Sequence, residues 1–124
     1  MTTLRALTSH PIVIYAPDTP DQIDPDDHTP ILVIDGAEQP ARLDKTEIGR
    51  QAPLNVDGAD IPIATVAVGG PAGDWPEPCD GVLYVVSMPT ATAAQRDDFL
   101  VIHREVRNHA DSTIGCRALA RITH

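Results

Sequence analysis

The stretch YVVSMPTATAAQRDDFL, residues 84 to 100, decides how the fold is interpreted, because an apolar run turns into a polar segment inside it. Its start completes VLYVVS (82–87), the most continuous apolar run of the chain. Such a run predicts a central strand that is covered on both faces. The following residues, TATAAQRDDFL (90–100), predict one or two turns of helix with Thr90 as the N-cap.

Further strands are predicted on both sides of this stretch, where apolar residues alternate with polar ones. Asp57 and Gly58 also lie between apolar runs and predict a tight hairpin turn, because primed turns need positive φ angles. The sequence therefore predicts a mainly β fold, a small antiparallel barrel or sandwich with one short helix. The other predicted strands are PIVIY (11–15), ILVID (31–35), ARLDKTEI (41–48), FLVIHREVR (99–107) and STIGCRALARI (112–122), with one more on each side of the Asp57-Gly58 turn in LNVDGADIPIATVAVGG (54–70).

Chain length predicts a single β-rich domain over residues 1–124, because this is the size of one ordinary domain. One segment stands apart from the strands. Residues 16–30 contain four Pro and five Asp, which cannot sustain helix or sheet hydrogen bonding. We expect them to form an exposed acidic loop.

Charge excludes two classes of partner. The formal net charge of -9 opposes binding to nucleic acid or to an anionic membrane, since both need Lys and Arg to neutralise negative charge. No apolar window approaches the length of a membrane span, and the first fifteen residues lack the pattern of a signal peptide. We therefore expect a cytoplasmic protein.

Metal sites and cofactors are not predicted. Cys79 and Cys116 lie far apart without a C-x-x-C spacing and are interpreted as reduced thiols. The histidines show neither the i, i+4 pairing of a helical metal site nor a companion pair of cysteines.

Both ends of the chain carry recognisable motifs, LTSHPIVIY (7–15) and GVLYVVS (81–87), followed by QRDDFLV, EVRN and IGCRALARI (114–122). Together they resemble a family of small, mostly uncharacterised proteins of phages, prophages and bacterial mobile elements. The resemblance implies this association but no particular reaction. It also implies that the cytoplasm is that of a host cell, with a place in a virion left open. Ser9 departs from the Pro of the family, the turn NHADST lacks the expected Gly, and residues 16–70 diverge. The matching residues are Thr8, His10, Pro76, Glu77, Pro78, Tyr84, Ser87, Arg96, Asp98, Arg107, Gly115, Cys116, Arg117 and Leu119.

Ser87 is the first candidate for chemistry. A serine at a strand end acts as a nucleophile only with a base within reach, and His10 and Asp98 are the residues that would complete such a set. The local string Val-Val-Ser-Met-Pro lacks the G-x-S-x-G elbow, so a hydroxyl that satisfies backbone groups is favoured.

The last predicted hairpin carries a row of arginines. Alternation places Arg117, Leu119 and Arg121 on an exposed or functional face and Cys116 on the core face. If Arg107 pairs with Ile114, Arg104 falls opposite Arg117, and facing like charges destabilise a sheet. We expect an acid between these arginines, either a carboxylate such as Glu105 or Asp98 or an anionic ligand.

Three classes of function follow. The favoured one is a phage or mobile-element binding module for a small anionic, nucleotide-like ligand. The second is a structural or interaction protein, a virion accessory or an inhibitor of a host protein, and exposed sheet edges predict a homo-oligomer. The third is a hydrolase using Ser87 or Cys116, for which no ordered motif exists. No catalytic residue is predicted, and the candidate ligand-binding residues are His10, Ser87, Arg96, Asp98, Arg107 and Arg117.

Overall fold

Eight strands, one α-helix and a short 3-10 helix (Pro25–Asp27) make up the computed structural model, which describes residues 2–71 and 75–123. No helix among these residues is long and apolar enough to cross a membrane. In chain order the elements are β1 (Thr3–Ala6), β2 (Ile12–Ile14), β3 (Leu32–Ile34), β4 (Leu43–Val56), β5 (Ala59–Pro71), β6 (Val82–Val85), α1 (Met88–Ala94), β7 (Phe99–Arg107) and β8 (Thr113–Ala120).

Six strands form one curved sheet in the order β1-β6-β7-β8-β2-β3, which is nearly closed like a barrel. The predicted mainly β fold with one short helix is confirmed. The sheet is mixed, however, whereas an antiparallel one was expected. Strands β1–β6, β6–β7 and β2–β8 pair in parallel, while β2–β3 and β7–β8 are antiparallel. The crossover through α1 makes the β6–β7 pairing parallel, since it returns the chain to the same end of the sheet.

Strand β6 carries the core on both faces, as its apolar sequence predicts. On one face Val85 is fully buried in a cluster with residues of β1, β2 and β8. On the other face Tyr84 packs with Phe99 and with Ala91 of the helix. Strand β1, which no sequence pattern predicted, pairs along the outer side of β6.

The helix begins one turn earlier than predicted. Ser87 is the N-cap, and its hydroxyl oxygen accepts a hydrogen bond from the backbone N–H of Thr90 at 3.4 Å. The same hydroxyl donates to Thr90 Oγ1 at 2.9 Å. The predicted N-cap Thr90 is therefore wrong: it lies inside the helix, which ends at Gln95 in a left-handed conformation with φ 51°.

Strands β4 and β5 form a separate two-stranded ribbon, which we call the arm (residues 43–71). The predicted turn at Asp57 and Gly58 is confirmed, with φ angles of 49° and 85°. The strand predicted over 41–48 is only the first part of β4, which continues to the turn. The two strands pair with each other and not with the six-stranded sheet.

The acidic segment 16–30 is held against the sheet by several hydrogen bonds to β7 and β8. Its acids are exposed, as expected, but Ile23 is buried beside Tyr15 and Val106. The backbone N–H of Ile23 donates to the carbonyl of Arg107 at 2.9 Å. This loop, which was expected to be exposed because of its polar composition, thus contributes an apolar residue to the core.

Candidate functional site

Two of the predicted residues, His10 and Ser87, line the same pair of clefts at the start of α1. The first cleft has a volume of about 360 Å³, and Thr8 and Arg42 also line it. His10 Nδ1 lies 3.2 Å from the carbonyl oxygen of Pro11, which can only accept, so this ring nitrogen donates. The other four predicted residues do not line these clefts.

Ser87 is engaged as a helix cap through its two hydrogen bonds to Thr90. Asp98, which would orient a catalytic histidine, is instead bound by Arg96. The Ser-His-Asp set considered from the sequence is therefore not assembled in this structure. The geometry supports a structural hydroxyl at this strand end.

Arg96 and Asp98 form a largely buried ion pair. The guanidinium also donates to the carbonyl of Pro76 at 2.8 Å and stacks 4.2 Å above the ring of Phe99. The hydrogen bond from Arg96 lowers the pKa of Asp98, and burial partly opposes this effect. The bond to Asp98 raises the pKa of Arg96 in turn. Three N–H groups of this guanidinium and one face of its plane are thereby engaged by the chain.

Arg107 forms two exposed and longer ion pairs, 3.3 Å to Glu105 and 3.4 Å to Asp111. It pairs in the sheet with Thr113, not with Ile114 as expected. A register shift between Val106 and Arg107 causes this difference, because it leaves Ile114 as the extra residue.

Arg117 reaches across to the acidic segment. Its guanidinium donates to the carbonyl of Thr19 at 2.7 Å and to the carboxylate of Asp21. The strand register places Arg104 opposite Arg117, as the sequence predicts, and Arg104 takes a positive φ of 53°. The neutralising acid expected there is Asp21, and neither Glu105 nor Asp98 fills that role.

Cys116 and Leu119 both contact the same core cluster. Leu119 was expected on an exposed or functional face, but its side chain is half-buried because it packs against this cluster. Burial raises the pKa of the Cys116 thiol, which keeps it protonated and weakens it as a nucleophile. Within residues 2–71 and 75–123, no three His, Cys, Asp or Glu side chains come together as a metal site.

The feature that sequence analysis missed is the exposure of the arm. Across the ribbon Leu54 pairs with Ile61. On the same face, Val56 lies two residues nearer the turn and Ile63 two residues nearer the base. Leu54, Val56 and Ile61 are 53%, 44% and 43% exposed, and we call these three residues the tip patch. The signal was present in the Asp-Gly turn between long apolar-containing runs, but no pattern indicated that the ribbon leaves the sheet.

A second exposed apolar group lies on the edge strand β3. Ile31, Leu32 and Val33 are 64%, 46% and 53% exposed, and we call them the edge patch. The register pairs Leu32 with Ile14, which is buried. Leu32 therefore lies on the core face of the sheet, and Val33 lies on the opposite face, because successive side chains of a strand alternate. The edge patch thus extends around the open edge of β3.

The accessible surface of the protein amounts to 8453 Å² for a chain of 13.3 kDa. A compact monomer of this mass exposes about 6,500 Å², so the excess is roughly 2,000 Å².

No protein-family model, curated protein or solved structure matches this chain.

Proposed function

We propose that the protein is a structural or interaction protein, and that its arm docks on a protein partner. One observation carries the proposal: the arm is a two-stranded ribbon of 14 and 13 residues whose tip patch is uncovered. A ribbon of two strands is marginal in water unless a further layer covers its apolar face. A docked partner supplies that layer.

The arginines favour this function over the binding of a nucleotide-like anion. Arg96, Arg107 and Arg117 each donate to a carboxylate of the same chain. An anionic ligand at these positions would have to displace those carboxylates, and the acidic protein would repel it. The resemblance to phage and mobile-element proteins favours a virion accessory or an inhibitor of a host protein as the biological setting.

Site-specific photo-crosslinking in the cells that naturally produce the protein tests the docking. A photoreactive amino acid replaces Ile61 in the tip patch, and Ala93 on the exposed side of α1 provides the matched control. We expect one discrete adduct from position 61, with a single protein identified in it by mass spectrometry, and none from position 93. Equal labelling from both positions, or no adduct from position 61, contradicts the proposal.

The cleft beside α1 supports a second candidate, the binding of a small ligand. It gathers His10, Arg42 and Ser87 around about 360 Å³, a volume at the lower end of small-molecule sites. Native mass spectrometry of freshly purified protein should then show a bound small molecule, lost in the Arg42→Ala variant. A protein without added mass, and without a thermal shift across a nucleotide panel, counts against this candidate.

A further inference from the structure

Exposed large apolar side chains fall into two groups in the described part of the chain. Six of them belong to the arm, and three belong to the edge patch at β3. Met88 is the remaining one. Separate apolar patches of this kind on one soluble chain mark surfaces that become covered on association.

The arm does not cover the edge patch of its own molecule, because the side chains of both patches are exposed in this structure. From Leu43 to Leu54 the ribbon extends roughly 35 Å at the usual rise of a strand. Strand β3 lies near the base of the arm, because only residues 35–42 separate β3 from β4. Those residues are tied to the body, as Ala37 and Ala41 donate backbone hydrogen bonds to Thr8 and Leu7. The tip patch is therefore carried away from the edge patch.

We infer that the tip patch of one molecule covers the edge patch of a second copy of this chain. The inference rests on the proposed function and names its partner. Each copy gives an arm and receives one, so the interface is heterologous and joins unlike surfaces. Such contacts generate a closed ring if the rotation closes and a filament if it does not.

The exposed area matches this arrangement. A specific interface buries about 800 Å² on each partner. One copy that donates its arm and accepts another takes part in two such interfaces and covers about 1,600 Å² of its own surface. This is close to the excess of roughly 2,000 Å² over a compact monomer.

The composition of the arm favours contact through its side-chain face over addition of a strand to its edge. Pro53 in β4 and Pro62 in β5 each remove a backbone donor from a strand whose outer side is unpaired. Because every copy carries a net charge of -9, the copies repel one another. Association held together by apolar contact should consequently become stronger as salt screens that repulsion.

Sedimentation velocity and native mass spectrometry of the full chain test the inference. The wild type should form assemblies larger than a monomer, and their share should rise with salt. The arm variant Leu54→Thr/Ile61→Thr and the edge variant Leu32→Thr/Val33→Thr should each be monomeric. Met88→Gln, which removes an exposed apolar side chain outside both patches, should assemble like the wild type.

Mixing the two variants decides the geometry. The intact arm of the edge variant fits the intact edge of the arm variant, so the mixture should give a dimer of one copy each and nothing larger. Circular dichroism verifies folding, and Val56→Thr and Ile31→Thr replace any double variant that does not fold. A monomeric wild type at every soluble concentration, an edge variant that still assembles, or a mixture that stays monomeric overturns the inference. The crosslink from position 61 then still tests the proposed function separately. An adduct with a different protein supports docking of the arm even though the partner is not a second copy.

Discussion

Arg96 and Asp98 are joined by two parallel hydrogen bonds, 2.9 Å between Nε and Oδ1 and 2.7 Å between Nη2 and Oδ2. The pair stands at the entrance to β7, and its third hydrogen bond holds the carbonyl of Pro76 ahead of β6. The pair thus ties together the segments that lead into two adjacent parallel strands. Its role in this structure is to fix the sheet.

Replacing Asp98 should destabilise the fold. In Asp98→Asn the side chain loses its charge while Arg96 stays largely buried, and we expect a loss of about 1.5–3 kcal/mol in the free energy of unfolding. Urea denaturation measures this loss. The matched control is Glu47→Gln, which breaks the exposed pair with Arg50 and should change stability by less than about 0.5 kcal/mol. Equal effects from both changes would contradict the structural role of the pair.

The same variant should also change the response to acid. The pKa of Asp98 is lowered in the folded protein, mainly by the hydrogen bond from Arg96. Its contribution to stability is therefore complete above the ordinary pKa of an aspartate, about 3.9, and is lost as the pH falls through the lowered value. Stability measured against pH should fall less steeply below about pH 4 in Asp98→Asn than in the wild type.

Ser87→Ala should cost about 1 kcal/mol, because the helix loses its N-cap. Ser87→Asp should retain most of the stability, since aspartate caps a helix as well as serine does. Ser9→Ala, at an exposed serine nearby, serves as the control. If the aspartate variant unfolds as readily as the alanine variant, capping is not what the hydroxyl contributes.

Gly115 is required by close packing. A Cβ at this position would lie 2.6 Å from the carbonyl oxygen of Val13 and 2.8 Å from the ring of Tyr15. We expect Gly115→Ala to destabilise the protein by about 1–3 kcal/mol. Gly49→Ala on the arm meets nothing within 4 Å and should leave the unfolding midpoint in place. A Gly115→Ala protein as stable as the wild type would show that Gly115 is not closely packed against Val13 and Tyr15.

The two thiols should react very differently. Cys79 is exposed, while Cys116 is completely buried and its pKa is raised. A thiol reagent should therefore modify one cysteine in the native protein and both in denaturant. The Cys79→Ser variant should remain unmodified until it unfolds. Rapid labelling of Cys116 in that variant, without unfolding, would contradict its burial.

The arm should be dispensable for folding of the body. Lys45 pairs with Val68 at the base of the ribbon, so an Asp-Gly turn between these two residues replaces 46–67 with a short hairpin. We expect the shortened protein to keep the stability of the wild-type monomer within about 1 kcal/mol, since loop length changes closure entropy only slightly. Denaturation under conditions that keep both proteins monomeric measures this. A shortened chain that does not fold would mean that the arm supports the sheet.

Apolar runs predicted most of the sheet, because their spacing depends only on neighbouring residues. The buried strand around Val85 and the Asp57-Gly58 turn are both local signals of this kind. Strand β1 was not predicted, because TLRA is short and its pairing partner lies some eighty residues away. Ion pairing also depends on residues that are distant in the sequence. Arg117 pairs with Asp21 only in the folded chain, and no spacing in the sequence predicts this pair.

The separation of the arm from the six-stranded sheet was not predicted, for a different reason. Alternation along β4 and β5 describes a strand equally well whether one of its faces meets a core or solvent. Only the full sheet reveals that the core is complete without this ribbon and that Leu54 and Ile61 stay uncovered. The same sequence pattern that usually indicates a core here marks a surface.

The paired base of the arm, Lys45 opposite Val68, also separates two kinds of selection on the sequence. Residues beyond that pair can change without disturbing the hydrophobic core, to which they contribute no buried side chain. Under the proposed function, a ribbon of another sequence grafted between these two residues would bring a different partner to an unchanged body.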